Sequence, residues 1–276
     1  MSSATPVISV PRLTERGRVT QAHVIASEWS KFVTLRSTLW SLGVGMLLTL
    51  GFPILFATVT AARWGQMSPH ERADRQPLDI ALAGVNVAQL AIAVLGVLVI
   101  TGEYSTGMIR STLLAVPKRL PVLWAKLGVY AVVSFALTLP AVIASFYASQ
   151  AILDRHQLLQ ISITAPGVFR TLIGGALYVT GVGILALAIG AIVRNTAGGI
   201  ALFAGLFFVV PPLMNILPTS WNNGISKWLP SEAGRQLFAL HRDPTRFAQW
   251  PSGAIFLGYC ALAIAAAAIL LVRRDA

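Results

Sequence analysis

One polar segment of the chain places an acid, a phenol, two hydroxyls and a cation within eight residues. It reads Glu-Tyr-Ser-Thr-Gly-Met-Ile-Arg from 103 to 110 and follows a long apolar stretch. The carboxylate of Glu103 could form a salt bridge with Arg110 or lie at a helix terminus, and the segment would then be an ordinary loop. The same groups could instead contact another protein. Both interpretations stay open for Glu103, Tyr104, Ser105, Thr106, Gly107, Met108, Ile109 and Arg110.

A catalytic or metal site is not expected anywhere in the chain. The four histidines are scattered, at His23, His70, His156 and His241, and none has a metal-ligand spacing such as H-E-x-x-H. Cys260 is the one cysteine, so a disulfide within the chain is impossible. No phosphate-binding G-x-x-x-x-G-K-[ST] run is present, so we expect no ATP hydrolysis by this chain.

Three amide side chains lie inside apolar stretches, where polar groups need a hydrogen-bonding partner or a polar pathway. Asn86 and Gln89 are three residues apart, which places them on one face of a helix. Asn215 lies in another stretch. Such side chains can line a substrate pathway, or they can hydrogen-bond neighbouring helices. The sequence leaves both possibilities open.

The elements that must position these residues are membrane helices. Charged residues make up 11% of the chain, against roughly 25% in soluble domains. A span needs about 20 apolar residues and excludes charge from its centre. Six stretches without Asp, Glu, Lys or Arg meet this condition. The prediction is an all-α polytopic protein with a six-helix transmembrane domain over 37–276 and spans at 38–62, 80–100, 127–150, 171–193, 197–217 and 251–272.

Tryptophans and cations support that topology and predict its orientation. None of the seven tryptophans falls in the middle of a predicted span, as expected for side chains that prefer the membrane boundary. Cations such as Arg36, Lys126 and Arg194 abut span ends on one side, which predicts both termini in the cytoplasm. The net charge of +11 is spread between apolar runs, so it indicates lipid contact and topology rather than nucleic acid.

The N-terminal 36 residues precede the first span. Residues 1–19 are predicted to be a disordered tail. Residues 20–36 are predicted to form a short amphipathic helix lying in the membrane interface, with a solvated extension of the first span as the alternative. Ile25, Trp29, Phe32 and Val33 would form its lipid face. Lys31 and Arg36 would be the cationic partners of lipid head groups. The candidate residues of this elbow helix are Glu28, Trp29, Lys31 and Arg36.

Two further features are predicted from turn and helix-breaking residues. A short amphipathic helix should run from 105 to 114 and stop at Pro117. Pro53, Pro140 and the pair Pro211-Pro212 should kink or break the spans that contain them.

Three segments resemble the bacterial ABC type-2 transporter permeases. The run Gly-Glu-Tyr-Ser-Thr-Gly-Met-Ile-Arg-Ser-Thr-Leu at 102–113, followed by Val-Pro-Lys-Arg at 116–119, is the most specific. Residues 28–38 are similar to the elbow of that family, and Leu-Pro-Ser-Glu-Ala-Gly at 229–234 to an outer-loop motif. Six spans with both termini inside fit the family as well, so the resemblance covers nearly the whole chain.

The resemblance implies a subunit of an exporter in the bacterial cell membrane. The permease would pair with a second copy, as a homodimer, or with a related permease. A separate cytoplasmic ATPase would bind ATP and Mg and engage the elbow and residues 103–110, with Glu103, Tyr104 and Arg110 at the transmission interface.

A competing hypothesis is a non-transporting membrane scaffold or signalling anchor. It explains spans free of charge equally well. The substrate of an exporter is not identifiable from the sequence, because an uncharged lining suits lipids, hydrophobic peptides and amphipathic drugs alike.

Overall fold

The computed structural model describes residues 20–115, 119–240 and 243–273. The predicted tail at 1–19 and the predicted stop at Pro117 lie outside these ranges. Every regular element within them is helical and no strand occurs there, which confirms the all-α prediction.

The helices follow one another with short connections. They are α1 Gln21–Thr34, α2 Arg36–Arg63, α3 Pro69–Ala73, α4 Pro77–Ser105, α5 Met108–Ala115, α6 Arg119–Arg155, α7 Val168–Val193, α8 Thr196–Ala204, α9 Val210–Met214, α10 Thr219–Ile225, α11 Pro230–Arg235 and α12 Gln249–Arg273. Short 3-10 turns lie at Trp64–Gln66, Ser226–Trp228 and Gln236–Phe238. A π-helical segment, Gly205–Val209, joins α8 to α9.

The prediction of six membrane-spanning helices is confirmed. Six helices are long and apolar enough to cross a bilayer: α2, α4, α6, α7, the segment Thr196–Met214, and α12. Several extend past the predicted apolar windows. The 37 residues of α6 would reach about 55 Å, well beyond a hydrocarbon core of about 30 Å, because a helix can continue into the polar boundary after its apolar stretch ends.

The core of the bundle forms around α7. Some 78% of its apolar window is buried, against 28% for α2 and 22% for α12, which lie at the periphery. Helix α7 packs on α4, α6 and α12. A Cβ at Gly96 of α4 would lie 2.3 Å from the carbonyl oxygen of Gly183 in α7. The absence of a side chain at Gly96 is therefore what lets the two central backbones touch.

The prolines act differently from one span to another. Helices α2 and α6 continue through Pro53 and Pro140, so of the two expected outcomes, a kink or a break, these prolines do not cause a break. Neighbouring helices and local adjustments can accommodate a missing N–H inside a bundle. The fifth span also stays helical through Pro211 and Pro212, but it changes from α to π geometry just before them, at Gly205–Val209, and the two prolines occupy the first turn of α9.

The bundle has two distinct ends. At the elbow end, α1 lies beside the end of α4 and the start of α6, and the start of α6 contacts the last turn of α12. The opposite end carries α3, α10, α11 and the connections around them.

Candidate functional site at the elbow end

Helix α1 presents two adjacent stripes with different surroundings. Val24, Glu28 and Phe32 are buried, and Val24 packs against α6. Ile25, Trp29 and Val33 are 44–49% exposed. The predicted four-residue lipid face is therefore wrong for Phe32, which enters the protein core, while its other three members remain on the surface.

Four ionisable side chains form a closed cluster beneath α1. Lys31 Nζ lies 2.7 Å from Glu28 Oε1 and 2.9 Å from Glu103 Oε1. Lys126 Nζ lies 2.5 Å from Glu28 Oε2 and 3.0 Å from Glu103 Oε1. Each lysine thus bridges both carboxylates, and the two charges of each sign cancel. The expectation that Lys31 contacts lipid head groups is wrong, because its ammonium is engaged inside the protein. We call these four residues the ion cluster.

The burial of the ion cluster makes its pairing essential to stability. The side chains of Glu28, Glu103 and Lys126 are 3–4% exposed, and only Lys31 reaches solvent, at 21%. A buried charge costs several kcal/mol unless it is paired. Burial alone would lower the pKa of Lys31, but hydrogen bonds and charges from Glu28 and Glu103 outweigh it and raise that pKa above 10.5. The cluster therefore fastens α1 to α4 and α6.

A small cavity adjoins the ion cluster. It has a volume of about 20 Å³ and is lined by Glu28, Lys31, Phe32, Leu35, Thr38, Val99, Glu103, Lys126 and Val129. About 10–15 Å³ holds one water molecule. Glu103 Oε2 has no hydrogen-bond partner among the described residues, so a water molecule here would complete its bonding.

A tight turn separates α4 from α5. Thr106 N–H donates to the carbonyl oxygen of Gly102, closing α4, and Gly107 adopts a φ of 71°. Only glycine takes this left-handed conformation without strain, so the chain can reverse here and begin α5 at Met108. The predicted start of the short helix at Ser105 is wrong, because Ser105 still belongs to α4.

The eight candidate contact residues differ in accessibility. Ser105, Thr106 and Gly107 are exposed, and we call them the exposed turn. Tyr104 and Met108 are half-buried, whereas Glu103 and Ile109 are buried. The side chain of Arg110 lies outside the described part of the chain. A partner protein could therefore reach the exposed turn, whereas Glu103 and Ile109 are packed within the bundle.

Two arginines join the end of α12 to the same region. Arg119 Nη1 donates to the carbonyl oxygen of Leu271 at 3.0 Å, and Arg194 Nη2 to that of Leu270 at 3.2 Å. These carbonyls belong to the last turn of α12, where cations are favoured by the helix dipole. Arg194 also lies over the ring of Tyr104, 5.1 Å from its centroid.

The three candidate amides fall in different surroundings. Gln89 is buried; its Oε1 accepts a hydrogen bond from Tyr178 of α7 at 2.5 Å, and its Nε2 donates to the carbonyl oxygen of Asn86. Asn86 is half-buried near the opposite end. Asn215 is exposed there, and its Oδ1 accepts from Asn222 at 3.2 Å. Gln89 thus contacts a neighbouring helix, while Asn215 lies on an open surface.

Sequence reasoning missed the partners of these residues. Lys126 was assigned only to topology, although Glu103 and Lys126 flank the same loop with opposite charges. Glu28 and Lys31, three apart in α1, were a further signal of pairing. Nothing in the sequence indicates that Tyr178 would meet Gln89, since they belong to different spans.

Arg36 and Trp29 are exposed at this end, as elbow residues facing a membrane surface would be. Within 20–115, 119–240 and 243–273, no three His, Cys, Asp or Glu side chains are grouped closely enough to hold a metal ion. No protein-family model and no curated protein matches the sequence.

Proposed function

We propose that this chain is the membrane-spanning permease subunit of an ABC-type exporter in a bacterial cell membrane. A separate cytoplasmic ATPase would bind ATP and Mg and dock on the exposed turn. The elbow end and both termini would then face the cytoplasm. A second copy, or a related permease, would complete the export path.

The observation that carries this proposal is the ion cluster. It joins α1, the end of α4 and the start of α6 through four short contacts between buried or half-buried charges. The exposed turn begins at the last residue of α4, two residues after Glu103. A partner that pushes on this turn would therefore move two spans and the elbow helix together, which is what a coupling element must do.

The surface of α1 suits the membrane contact that the proposal requires. Ile25, Trp29 and Val33 expose an apolar stripe next to the cation Arg36. Apolar and cationic groups side by side favour an anionic leaflet surface. The sparsely buried faces of α2 and α12 leave room for lipid or a second permease copy.

Site-specific photo-crosslinking tests the docking directly. A benzoyl-phenylalanine at Thr106 should capture, in the native cell, a protein that carries the G-x-x-x-x-G-K-[ST] nucleotide-binding run. The matched control places the same group at Ser220, which is exposed at the opposite end and should capture no such protein.

Two results would contradict the proposal. Capture of the ATPase from Ser220 but not from Thr106 would put the docking surface at the wrong end. Capture of no ATPase at either position, with the chain folded in the membrane, would favour the scaffold or signalling anchor.

A further inference from the structure

A pocket with no assigned role opens at the opposite end of the bundle. It has a volume of about 210 Å³, many times what one water molecule requires. It lies where the fifth span meets the connection to α12. Its lining is formed by Phe207, Phe208, Pro211, Pro212, Asn215, Asn222, Ser226, Leu229, Glu232, Arg235 and Arg246. We call it the far pocket.

The floor of the far pocket is apolar and comes from the π-helical segment of the fifth span and the turn that follows it. Phe207 and Phe208 belong to the π-helical segment, and Pro211 and Pro212 to the first turn of α9. π-Helical insertions are rare and often occur at functional sites. Phe208 and Pro212 are exposed, so this floor continues onto the outer surface of the span.

The rim of the far pocket is charged and its ion pairs are loose. Arg235 Nη1 lies 3.4 Å from Glu232 Oε1, and Arg246 Nη2 lies 3.7 Å from Glu232 Oε2. Close charge-assisted pairs measure about 2.7–2.9 Å. Arg246 also lies near Asp243, with Nε 3.8 Å from Oδ2, and its Nη1 donates to Ser226 Oγ at 2.5 Å. Two guanidinium groups thus face two carboxylates at long range, and this mixture of charges matches a head group that carries both a phosphate and an ammonium. Each guanidinium retains donors for a phosphate group.

Tryptophans place the far pocket at the depth of lipid head groups. Trp221 and Trp228, on either side of the lining residues Asn222 and Ser226, are 63% and 52% exposed. Trp250, at the start of α12, is 82% exposed. Exposed tryptophans of a membrane protein collect at the boundary between hydrocarbon and water. The polar rim therefore lies at the boundary and the apolar floor below it.

We propose that the far pocket binds the phosphate-bearing head group of a membrane phospholipid. The phosphate lies between Arg235 and Arg246, and an ammonium on the same head group faces Glu232. An acyl chain lies along Phe208 and Pro212. Lipid binding at this site requires neither ATP nor the ATPase, so a test of binding is independent of the proposed export function.

Native mass spectrometry of the full chain in maltoside micelles tests the proposal. Three probes are titrated: palmitoyl-oleoyl phosphatidylethanolamine, diacylglycerol with the same acyl chains, and inorganic phosphate. We expect saturable binding of one phosphatidylethanolamine. Arg235→Gln should weaken it about tenfold, since a hydrogen bond to a charged group is lost. Arg63→Gln, an exposed arginine at the same end, should bind as wild type does.

A second variant separates loss of the site from loss of folding. Asn215 is exposed, so Asn215→Trp should leave the melting temperature unchanged while filling the pocket and abolishing binding. Equal binding of diacylglycerol would overturn the head-group assignment. Full displacement of the lipid by inorganic phosphate would contradict lipid recognition and show that the pocket recognises phosphate alone. Wild-type affinity in both pocket variants would overturn the site itself.

Discussion

Lys126 Nζ lies 2.5 Å from Glu28 Oε2, although the two residues are 98 positions apart. Both side chains are 3% exposed. This pair, with Glu103 and Lys31 beside it, connects the elbow helix to two spans. The mechanical role proposed for the elbow end depends on it.

Removing one member of the ion cluster should destabilise the protein strongly. Lys126→Met leaves Glu28 and Glu103 with only Lys31 to balance them, and breaking a buried pair costs about 3–5 kcal/mol. The melting temperature in detergent should fall clearly. Arg63→Met, at an exposed position, should change the stability by less than about 0.5 kcal/mol.

Restoring the charge balance should recover part of that loss. In Glu28→Gln/Lys126→Met the remaining Glu103 and Lys31 cancel, so the double variant should melt above Lys126→Met alone. A double variant less stable than the single one would show that the charges are not coupled as the structure places them.

The attachment of α1 should weaken at high pH. The pKa of Lys31 is raised above 10.5 in the folded protein, so its contribution to stability is present below that value and is lost as the pH rises through the folded pKa. Hydrogen exchange of α1 amides should therefore accelerate, relative to α7 amides, as the pH rises through the folded pKa of Lys31. Lys31→Met should remove this pH dependence. The same dependence in that variant would exclude Lys31 as its source.

Adding a methyl group at Gly96 should separate the two central helices. The new Cβ would lie 2.3 Å from the carbonyl oxygen of Gly183, a contact that forces backbone movement. We expect Gly96→Ala to cost about 1–3 kcal/mol by overpacking. Gly128→Ala is the matched control, because a Cβ there meets nothing within 4 Å. Similar melting temperatures for the two variants would contradict the close approach of α4 and α7.

The bond between Tyr178 and Gln89 should behave as a buried polar pair. Tyr178→Phe leaves Gln89 Oε1 without its donor, at a cost of about 1–3 kcal/mol. Replacing both partners, as Gln89→Met/Tyr178→Phe, should bring the melting temperature back towards wild type. An additive loss in the double variant would exclude an interaction between them.

The spans could be predicted because hydrocarbon excludes charge along continuous stretches of sequence. The limits of α6 could not, since a helix continues past its apolar window to Arg119 and Arg155. The sequence also left open whether Pro53 and Pro140 would kink or break their helices. Whether a proline interrupts a membrane helix depends on neighbours that the local sequence does not reveal.

The candidate site could be located from the sequence but not assembled from it. Glu103 and Lys31 were singled out as individual residues. Their meeting depends on α1 packing back against α6, a contact between distant parts of the chain. Periodicity placed Phe32 on a lipid face because it reports which residues share a face and not what covers that face. The start of the short helix was predicted at Ser105, because the sequence does not show that α4 continues through that residue.

ATP hydrolysis by the complex purified from native membranes tests the central claim most directly. A tagged wild-type chain, solubilised in maltoside, should elute with an ATPase subunit and hydrolyse ATP. Thr106→Trp, in the exposed turn, should elute folded but with little ATPase activity, whereas Ser220→Trp at the opposite end should match wild type. Two results would contradict the docking of an ATPase at the elbow end. One is a folded wild-type chain that copurifies without ATPase activity. The other is equal ATPase activity for the wild-type chain and both variants.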